Sequence, residues 1–184
     1  PERPSESRKT SWTAMLVEAP KEDAGDWVSV NTTVPNRLVR KALEVGALDE
    51  FGDWRLERPE VVFGGSRLDF LLTDAKGRKL YVEAKSVTLV ENGVALFPDA
   101  VTARGTRHVE ELIRAVEEGH EAAVLFVLQR SDASRIVAAR TIDPRFSEAL
   151  ARADRAGVRI IGRRCRVTWR GIELGQPVPA GPGQ

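Results

Sequence analysis

Apolar and polar positions change their period several times along the chain, and each change marks an element. Leu38, Val39, Ala42 and Leu43 recur at helical spacing, with Pro35 suited to a first turn and Gly46 ending the run, which predicts a first helix. Three extended segments follow at about 60–63, 67–73 and 79–85; Gly64 and Gly65 separate the first two, and 74–77 turns between the others. Thr106 is able to cap a second helix, in which Val109, Leu112, Ile113 and Val116 repeat at helical spacing before Gly119. The run 122–128 (AAVLFVL) is apolar throughout, as a central strand covered on both faces requires. Asp143 and Pro144 open a third helix through Phe146, Ala149, Leu150 and Ala153 to Gly157, followed by a strand at 158–161 and an extended piece at 166–169. Ahead of the first helix, 10–18 (TSWTAMLVE) reads as a strand, 21–26 as a charged turn and 27–30 as a short apolar segment. The order αβββαβαβ predicts an α/β fold, a mixed β-sheet flanked by helices. It divides into an N-terminal segment 1–26, a main domain 27–170 and a loose Pro- and Gly-containing tail 171–184, with no internal repeat.

Composition narrows the class. A chain of 184 residues with 42% apolar and 30% charged side chains can bury one ordinary core, so wholesale disorder is excluded. Cys165 stands alone, which excludes an intramolecular disulfide and a multi-Cys zinc site and points to a reducing compartment. No run approaches the ~18–20 apolar residues of a membrane span, and the first twenty residues carry no signal-peptide block, so a cytoplasmic protein without a membrane partner is expected. The formal net charge of +1 conceals an asymmetry: residues 1–129 hold 17 basic and 22 acidic side chains, whereas 130–170 holds 11 Arg against Asp132, Asp143, Glu148 and Asp154. Local fields attract polyanions, so a nucleic-acid partner stays open beside the plainer reading of a solvated Arg-rich face.

The most informative stretch is RLDFLL at 67–72, a turn, and LYVEAK at 80–85. Alternation along a strand puts Leu68, Phe70 and Leu72 on one face and Asp69 on the other; Leu80, Val82 and Ala84 share a face opposite Glu83 and Lys85. A hairpin centred on Lys76 makes Asp69 and Glu83 cross-strand partners, with Cβ atoms roughly 5 Å apart. Two carboxylates that close repel, and a divalent cation relieves the conflict: two carboxylates, an adjacent backbone carbonyl from Ala84 and waters suit Mg²⁺ or Mn²⁺. Lys85 on the same face would orient a water or stabilise charge developing on a phosphate. The geometry expects a metal-assisted phosphodiester hydrolase; the plainer alternative is a solvated charged face with Lys85 in a surface salt bridge.

The flanks of this hairpin are specific. The blocks 31–39 (NTTVPNRLV), 64–72 (GGSRLDFLL), 81–89 (YVEAKSVTL) and 95–105 (ALFPDAVTARG), with His108 beyond, strongly resemble the sugar fermentation stimulation protein A family, over about 27–169. The resemblance implies a restriction-endonuclease-like PD-(D/E)xK domain with an αβββαβ core, in agreement with the element order. It implies that Asp69 is the first carboxylate of that motif, that Glu83 and Lys85 are its Glu-x-Lys pair, and that DNA or RNA is cleaved with Mg²⁺ or Mn²⁺. Fold analogy does not by itself establish activity. The rival is a non-catalytic DNA-binding or regulatory protein that keeps the nuclease fold. Family members carry an oligonucleotide-binding-like barrel ahead of this domain, with a Cys-Pro-Asn-Thr-Gly-Ser segment. Here only 8–18 resembles its end, so the DNA affinity of a barrel is not carried over. Many nucleases of this superfamily add a carboxylate from the first helix, where this chain offers Glu44, or Asn36 through its amide oxygen.

Several further residues carry two readings each. Asp99 is a third metal ligand or a turn former after Pro98. Arg104, Arg107 and His108 lie just before or within the first turn of the second helix, where free amides favour a phosphate; His108 is a proton shuttle or a structural histidine. Asn36, Arg37 and Arg67, from the matched blocks, complete the nucleic-acid-binding candidates. Gly64 and Gly65 admit a phosphate close to the backbone or simply make a tight turn. Trp12, Trp27, Trp54 and Trp169 stack bases or pack the rim. Arg163, Arg164, Arg166 and Arg170 form at best a partial phosphate-tracking strip, because Arg163 and Arg164 must alternate faces. Cys165 reads as an unreactive small residue in the sheet. DNA against RNA and monomer against homodimer stay open.

Overall fold

A computed structural model describes residues 14–19 and 27–183 of the chain. The N-terminal strand expected at 10–18 is described only from its second half, as β1 (Leu16–Glu18), which pairs antiparallel with β2 (Trp27–Ser29). Trp12 and the charged turn at 21–26 lie outside the described residues.

The main body follows the expected order. Helix α1 (Val34–Glu44) starts with Pro35 in its first turn and buries Val34, Val39 and Leu43. A short 3-10 helix (Asp49–Phe51) leads into β3 (Arg55–Phe63), β4 (Ser66–Thr73) and β5 (Lys79–Val87). Then come two short strands not expected from the sequence, β6 (Leu89–Glu91) and β7 (Val94–Phe97). Helix α2 (Ala103–Glu117), β8 (Glu121–Leu128), the short β9 (Arg135–Ala138) and α3 (Pro144–Ala156) follow. The chain closes on β10 (Arg159–Thr168), β11 (Gly171–Val178) and β12 (Ala180–Gly181).

Six strands form the principal sheet in the order β11-β10-β8-β5-β4-β3, in which β5, β8 and β10 run parallel and the others antiparallel. A smaller sheet, β12-β9-β7-β6, gathers the short strands. The fold is a mixed α/β architecture with its sheets flanked by helices. The core is accordingly double. Ala122, Val124, Phe126 and Leu128 of β8 point into a cluster with Val109 and Leu112 of α2 and Phe146 and Leu150 of α3. Ala123, Leu125 and Val127 point into the opposite cluster with Val39 and Leu43 of α1. That two-sided burial is why β8 reads as an unbroken apolar run. Among the described residues no helix is long and apolar enough to cross a membrane.

Three expectations change. Helix α2 begins earlier than Thr106: Thr102 is its cap, accepting at Oγ1 from the Gly105 N–H (3.0 Å), while the Thr106 hydroxyl donates back to the Thr102 carbonyl. The pieces at 158–161 and 166–169 are one strand, β10, with a bulge between Arg163 and Cys165 that locally breaks the pairing with β11. The segment from Gly171, read as a loose tail, supplies the edge strand β11, where the open side of the sheet tolerates its proline.

Candidate functional site

The β4–β5 hairpin is set by its turn. Asp74 Oδ1 accepts from the backbone N–H groups of Lys76 and Arg78 (both 2.9 Å), a closed loop that pins the register. Thr73 pairs with Lys79, Leu72 with Leu80, Leu71 with Tyr81 and Phe70 with Val82, symmetric about Lys76 as the sequence expects. There the ladder ends, so Asp69 and Glu83, expected as cross-strand partners, are not paired. The alternation expected for β4 also breaks there: Phe70 and Leu72 pack with α1, but Leu68 crosses to the cluster under α2. Asp69 sits between them, at the point where the two strands part.

That fork gives Asp69 backbone to bind instead of a strand partner. Its Oδ2 accepts from the Ala84 N–H (2.9 Å), and its Oδ1 accepts from Asn36 Nδ2 on α1 (2.7 Å). A residue's N–H and C=O point to the same side of a strand, so the Ala84 carbonyl is aimed at this opening too. Burial first, then the charge of Glu83, lift the Asp69 carboxyl to about 6, against the lowering effects of the Ala84 amide, Asn36 and Lys85.

Glu83 is 4% exposed, on the α2 side of β5. One of its oxygens, Oε1, takes two donors: Lys85 Nζ at 2.7 Å and His108 Nδ1 at 2.5 Å. Burial would push its carboxyl up, but the His108 hydrogen bond and the Lys85 ammonium together outweigh it and hold Glu83 below the usual carboxylate range. The other oxygen, Oε2, is buried and has no hydrogen-bond partner among the described residues. His108, itself 3% exposed, receives Arg104 Nε at its Nε2 (3.4 Å). A guanidinium can only donate, so Nε2 is the accepting nitrogen and Nδ1 carries the hydrogen toward Glu83. The result is a chain Arg104–His108–Glu83–Lys85 that fixes which Glu83 oxygen is left free.

The remaining candidates divide. Asn36, not Glu44, is the α1 residue brought to the site; Glu44 faces outward and pairs with Arg40 (2.8 Å). Asp99 is exposed in the loop after β7, and among the described residues no group of three or more His, Cys, Asp or Glu side chains is assembled to hold a metal. Arg37 and Arg107 are exposed, and Arg67 is exposed with Glu60 at 3.9 Å. Gly64 and Gly65 are spoken for: Glu111 Oε1 accepts from the Gly65 N–H (2.8 Å), and a Cβ on Gly64, at φ +53°, would strike the Arg114 guanidinium. A carboxylate stands where a phosphate would approach.

Most of the Arg-rich segment holds the fold. Arg163 Nε and Nη2 donate to Glu50 (2.7 and 2.6 Å) and Arg164 donates to the Ser131 and Ala133 carbonyls, on opposite faces of β10 as alternation demands. Arg166 pairs with Glu173. Cys165 is buried and its thiol is pushed up to about 12 by that burial, in keeping with an unreactive packing residue.

Two residues support the site without having been site candidates from the sequence. Gln129, fully buried at the end of β8, donates from Nε2 to Ser86 Oγ (2.7 Å), and its Oε1 has no partner among the described residues. Its signal was available: it is the first polar residue after the apolar run, at the carboxyl end of a parallel strand, where α/β sheets place ligands. Asp143 accepts from the N–H groups of both Phe146 (3.0 Å) and Thr102 (2.8 Å), so it caps α3 and anchors the start of α2, from which Arg104 and His108 project.

A family model described as the sugar fermentation stimulation protein RE domain matches residues 33–171. Sugar fermentation stimulation protein homologues are similar over most of the chain. That of Citrifermentans bemidjiense is 45% identical over 156 residues, 84% of this chain and 67% of the relative. That of Moorella thermoacetica is 43% identical over 171 residues, 93% of this chain and 72% of the relative. Among solved structures, Pyrococcus furiosus SfsA in complex with Ca²⁺ is similar with a TM-score of 0.80 and 31% identity, covering 86% of this chain and 69% of that one.

Proposed function

This chain belongs to the sugar fermentation stimulation protein family, and on that premise we propose that it is a divalent-metal-dependent nuclease of the PD-(D/E)xK type, hydrolysing phosphodiester bonds of DNA or RNA. The observation that carries the reading is the bare, buried Oε2 of Glu83 close to a second carboxylate, Asp69, held up at about 6. A buried carboxylate oxygen without a donor is costly unless something cationic meets it. The order α1, β3 to β5, α2, β8 supports the αβββαβ core.

Asp69, Glu83 and the Ala84 carbonyl are hard oxygen donors, the set that Mg²⁺ or Mn²⁺ prefers, and the Ca²⁺ of the Pyrococcus relative is a cation of the same hard class. Such an ion, when bound, polarises a phosphoryl oxygen and makes a water more acidic. The chain's own groups do the rest. Asn36 and the Ala84 N–H hold the Asp69 carboxylate in place, and His108 with Arg104 behind it holds Glu83. Lys85 brings a positive charge beside the carboxylates, where it orients the attacking water and offsets charge developing on the phosphate. Arg104, in the first turn of α2, lies where the free N–H groups of a helix favour an anion, whereas the earlier start of α2 puts Arg107 in its second turn; Arg37 on α1 and Arg67 on β4 offer further backbone contacts.

Cleavage of labelled single-stranded DNA, duplex DNA and RNA is measured with Mg²⁺ or Mn²⁺ for the natural sequence, Asp69→Ala and Lys85→Ala. A loss of roughly 10²-fold or more in both variants is expected. Equal residual cleavage in all three proteins overturns the assignment. Nucleic-acid binding with a steep salt dependence and no Mn²⁺ binding by calorimetry would replace it with a binding-only protein.

A further inference from the structure

The turn from β10 to β11 is made by Trp169 and Arg170, with Thr168 paired to Gly171 across it. Neither residue takes a positive φ, so the turn makes no special demand on either side chain. Trp169 is 68% exposed, so the indole is not held by the core. The Arg170 guanidinium lies 4.7 Å from the ring centroid, which sets a cation against the indole. Beside it opens a cleft of about 590 Å³ whose lining includes Trp27, Arg166, Thr168 and Glu173.

Position ties this tip to the carboxylates. Lys85, Phe126 and Gly162 stand in one row across the parallel strands β5, β8 and β10. Trp169 comes seven positions after Gly162, past the carboxyl ends of β5 and β8 and about 20 Å further along the strand direction. An unpaired strand, more extended than the ~3.4 Å per nucleotide of a duplex, covers that distance in about six nucleotides or fewer.

We propose that the Trp169–Arg170 tip is a stacking subsite for an unpaired nucleobase of a single strand whose backbone runs toward Glu83 and Lys85. This deepens the nuclease reading and rests on it for the class of ligand. The indole offers a flat face that any base can cover, and Arg170 sits where the flanking phosphate passes. A protein partner fits less well, because the tip is a single exposed aromatic beside the Arg166–Glu173 ion pair, and a standard interface needs ~800 Å² per partner.

Fluorescence anisotropy of fluorescein-labelled dT20 and of a 20-base-pair duplex, in EDTA so that nothing is cleaved, tests this on the full chain. Trp169→Ala is expected to weaken dT20 binding about 5- to 100-fold, the range of a lost base–aromatic stack, with the duplex nearly unaffected and Trp169→Phe restoring most of the loss. Failure of the natural sequence to bind dT20, unchanged binding in Trp169→Ala, or an equal loss for dT20 and duplex each overturns the subsite. The nuclease reading fails separately, through cleavage that ignores Asp69→Ala, and the anisotropy result does not depend on that outcome.

Discussion

Two acids, the half-buried Glu50 and the buried Glu83, show what charge does in this fold when it is paired and when it is left short. Glu50 lies beside β10 and meets Arg163 through two parallel hydrogen bonds, one to each carboxylate oxygen, while Arg163 spends its remaining Nη1 on the Gly175 carbonyl. Both carboxylate oxygens and all three guanidinium nitrogens of that pair are engaged, the geometry that lets a largely buried ion pair repay its desolvation. Glu83, one strand beyond β8, is more deeply buried, yet both of its donors converge on Oε1 and leave Oε2 bare. Its near neighbour Asp69 is another acid, held well above its ordinary range. A fold that can satisfy a carboxylate completely at Glu50 leaves one incomplete at Glu83, and the shortfall is what a cation would fill.

The sharpest way to break this contrast is to unpair the satisfied side. Glu50→Ala leaves the Arg163 guanidinium buried without its counter-charge, which costs about 3–5 kcal/mol. Denaturant unfolding should show that loss, with the Mn²⁺ affinity of the protein that remains folded unchanged. A cost below about 1 kcal/mol would mean that the Glu50 pair holds nothing together and would erase the difference between the two regions.

Unpairing the strained side should act in the opposite direction. Asp69 has a folded value of about 6 against an ordinary 3.8, so the protonated form is the one the fold prefers. Its contribution is fully present below about pH 4 and is lost as the pH rises through about 6. At pH 8 the ionised group therefore costs on the order of 1–3 kcal/mol, and Asp69→Asn should be more stable than the natural sequence by that amount, with the gain vanishing at pH 4. Adding Mg²⁺ should narrow the gap at pH 8, because an ion that binds only the folded natural protein stabilises it by mass action. A variant less stable at pH 8 would show that the carboxylate is already satisfied.

His108 tests whether the free oxygen is held free. Removing the second donor to Glu83 Oε1 lets the carboxylate rotate, and groups that orient a metal ligand in this way are worth about 10–100-fold in affinity. His108→Ala should weaken Mn²⁺ binding by that factor in calorimetry, with a smaller effect for His108→Gln, whose amide keeps a donor. Equal Mn²⁺ affinity in all three proteins would confine His108 to packing.

Local signals carried the sequence reading a long way, and non-local pairing is where it stopped. The apolar run of β8, the Asp143-Pro144 start of α3 and the turn around Lys76 each depend on residues a few positions apart, and each is where the pattern put it. Strands β6, β7, β9 and β12 are two to four residues long and gain their partners only from the smaller sheet, so no window along the chain holds their signal. The site shows the same division. Asp69, Glu83 and Lys85 were legible because a hairpin joins them. Strict alternation missed the crossing of Leu68, which lies beyond the last β4–β5 pair and next to the point where the facing strand β3 takes Glu60 to a φ of +54°. His108 joins Glu83 across 25 positions, so the hydrogen bond that orients the site is invisible to spacing.

The smallest expected effect settles a choice that the chain alone left open on α1. Asn36 and Glu44 both stood as contributors from that helix, and the more acidic residue is the better cation ligand on chemistry alone. Position reverses the order: Asn36 Nδ2 reaches Asp69, whereas Glu44 is about half exposed and engaged with Arg40 one turn earlier. An exposed i, i+4 pair is worth ~0.3–0.5 kcal/mol. Glu44→Ala should therefore move stability by no more than about 0.5 kcal/mol and leave Mn²⁺ affinity within twofold. Asn36→Ala, which removes a hydrogen bond to a partly buried carboxylate, should cost on the order of 1–2 kcal/mol and should also lower Mn²⁺ affinity. The reverse ranking would put Glu44 at the site and would require α1 to turn its outer face inward when the cation binds.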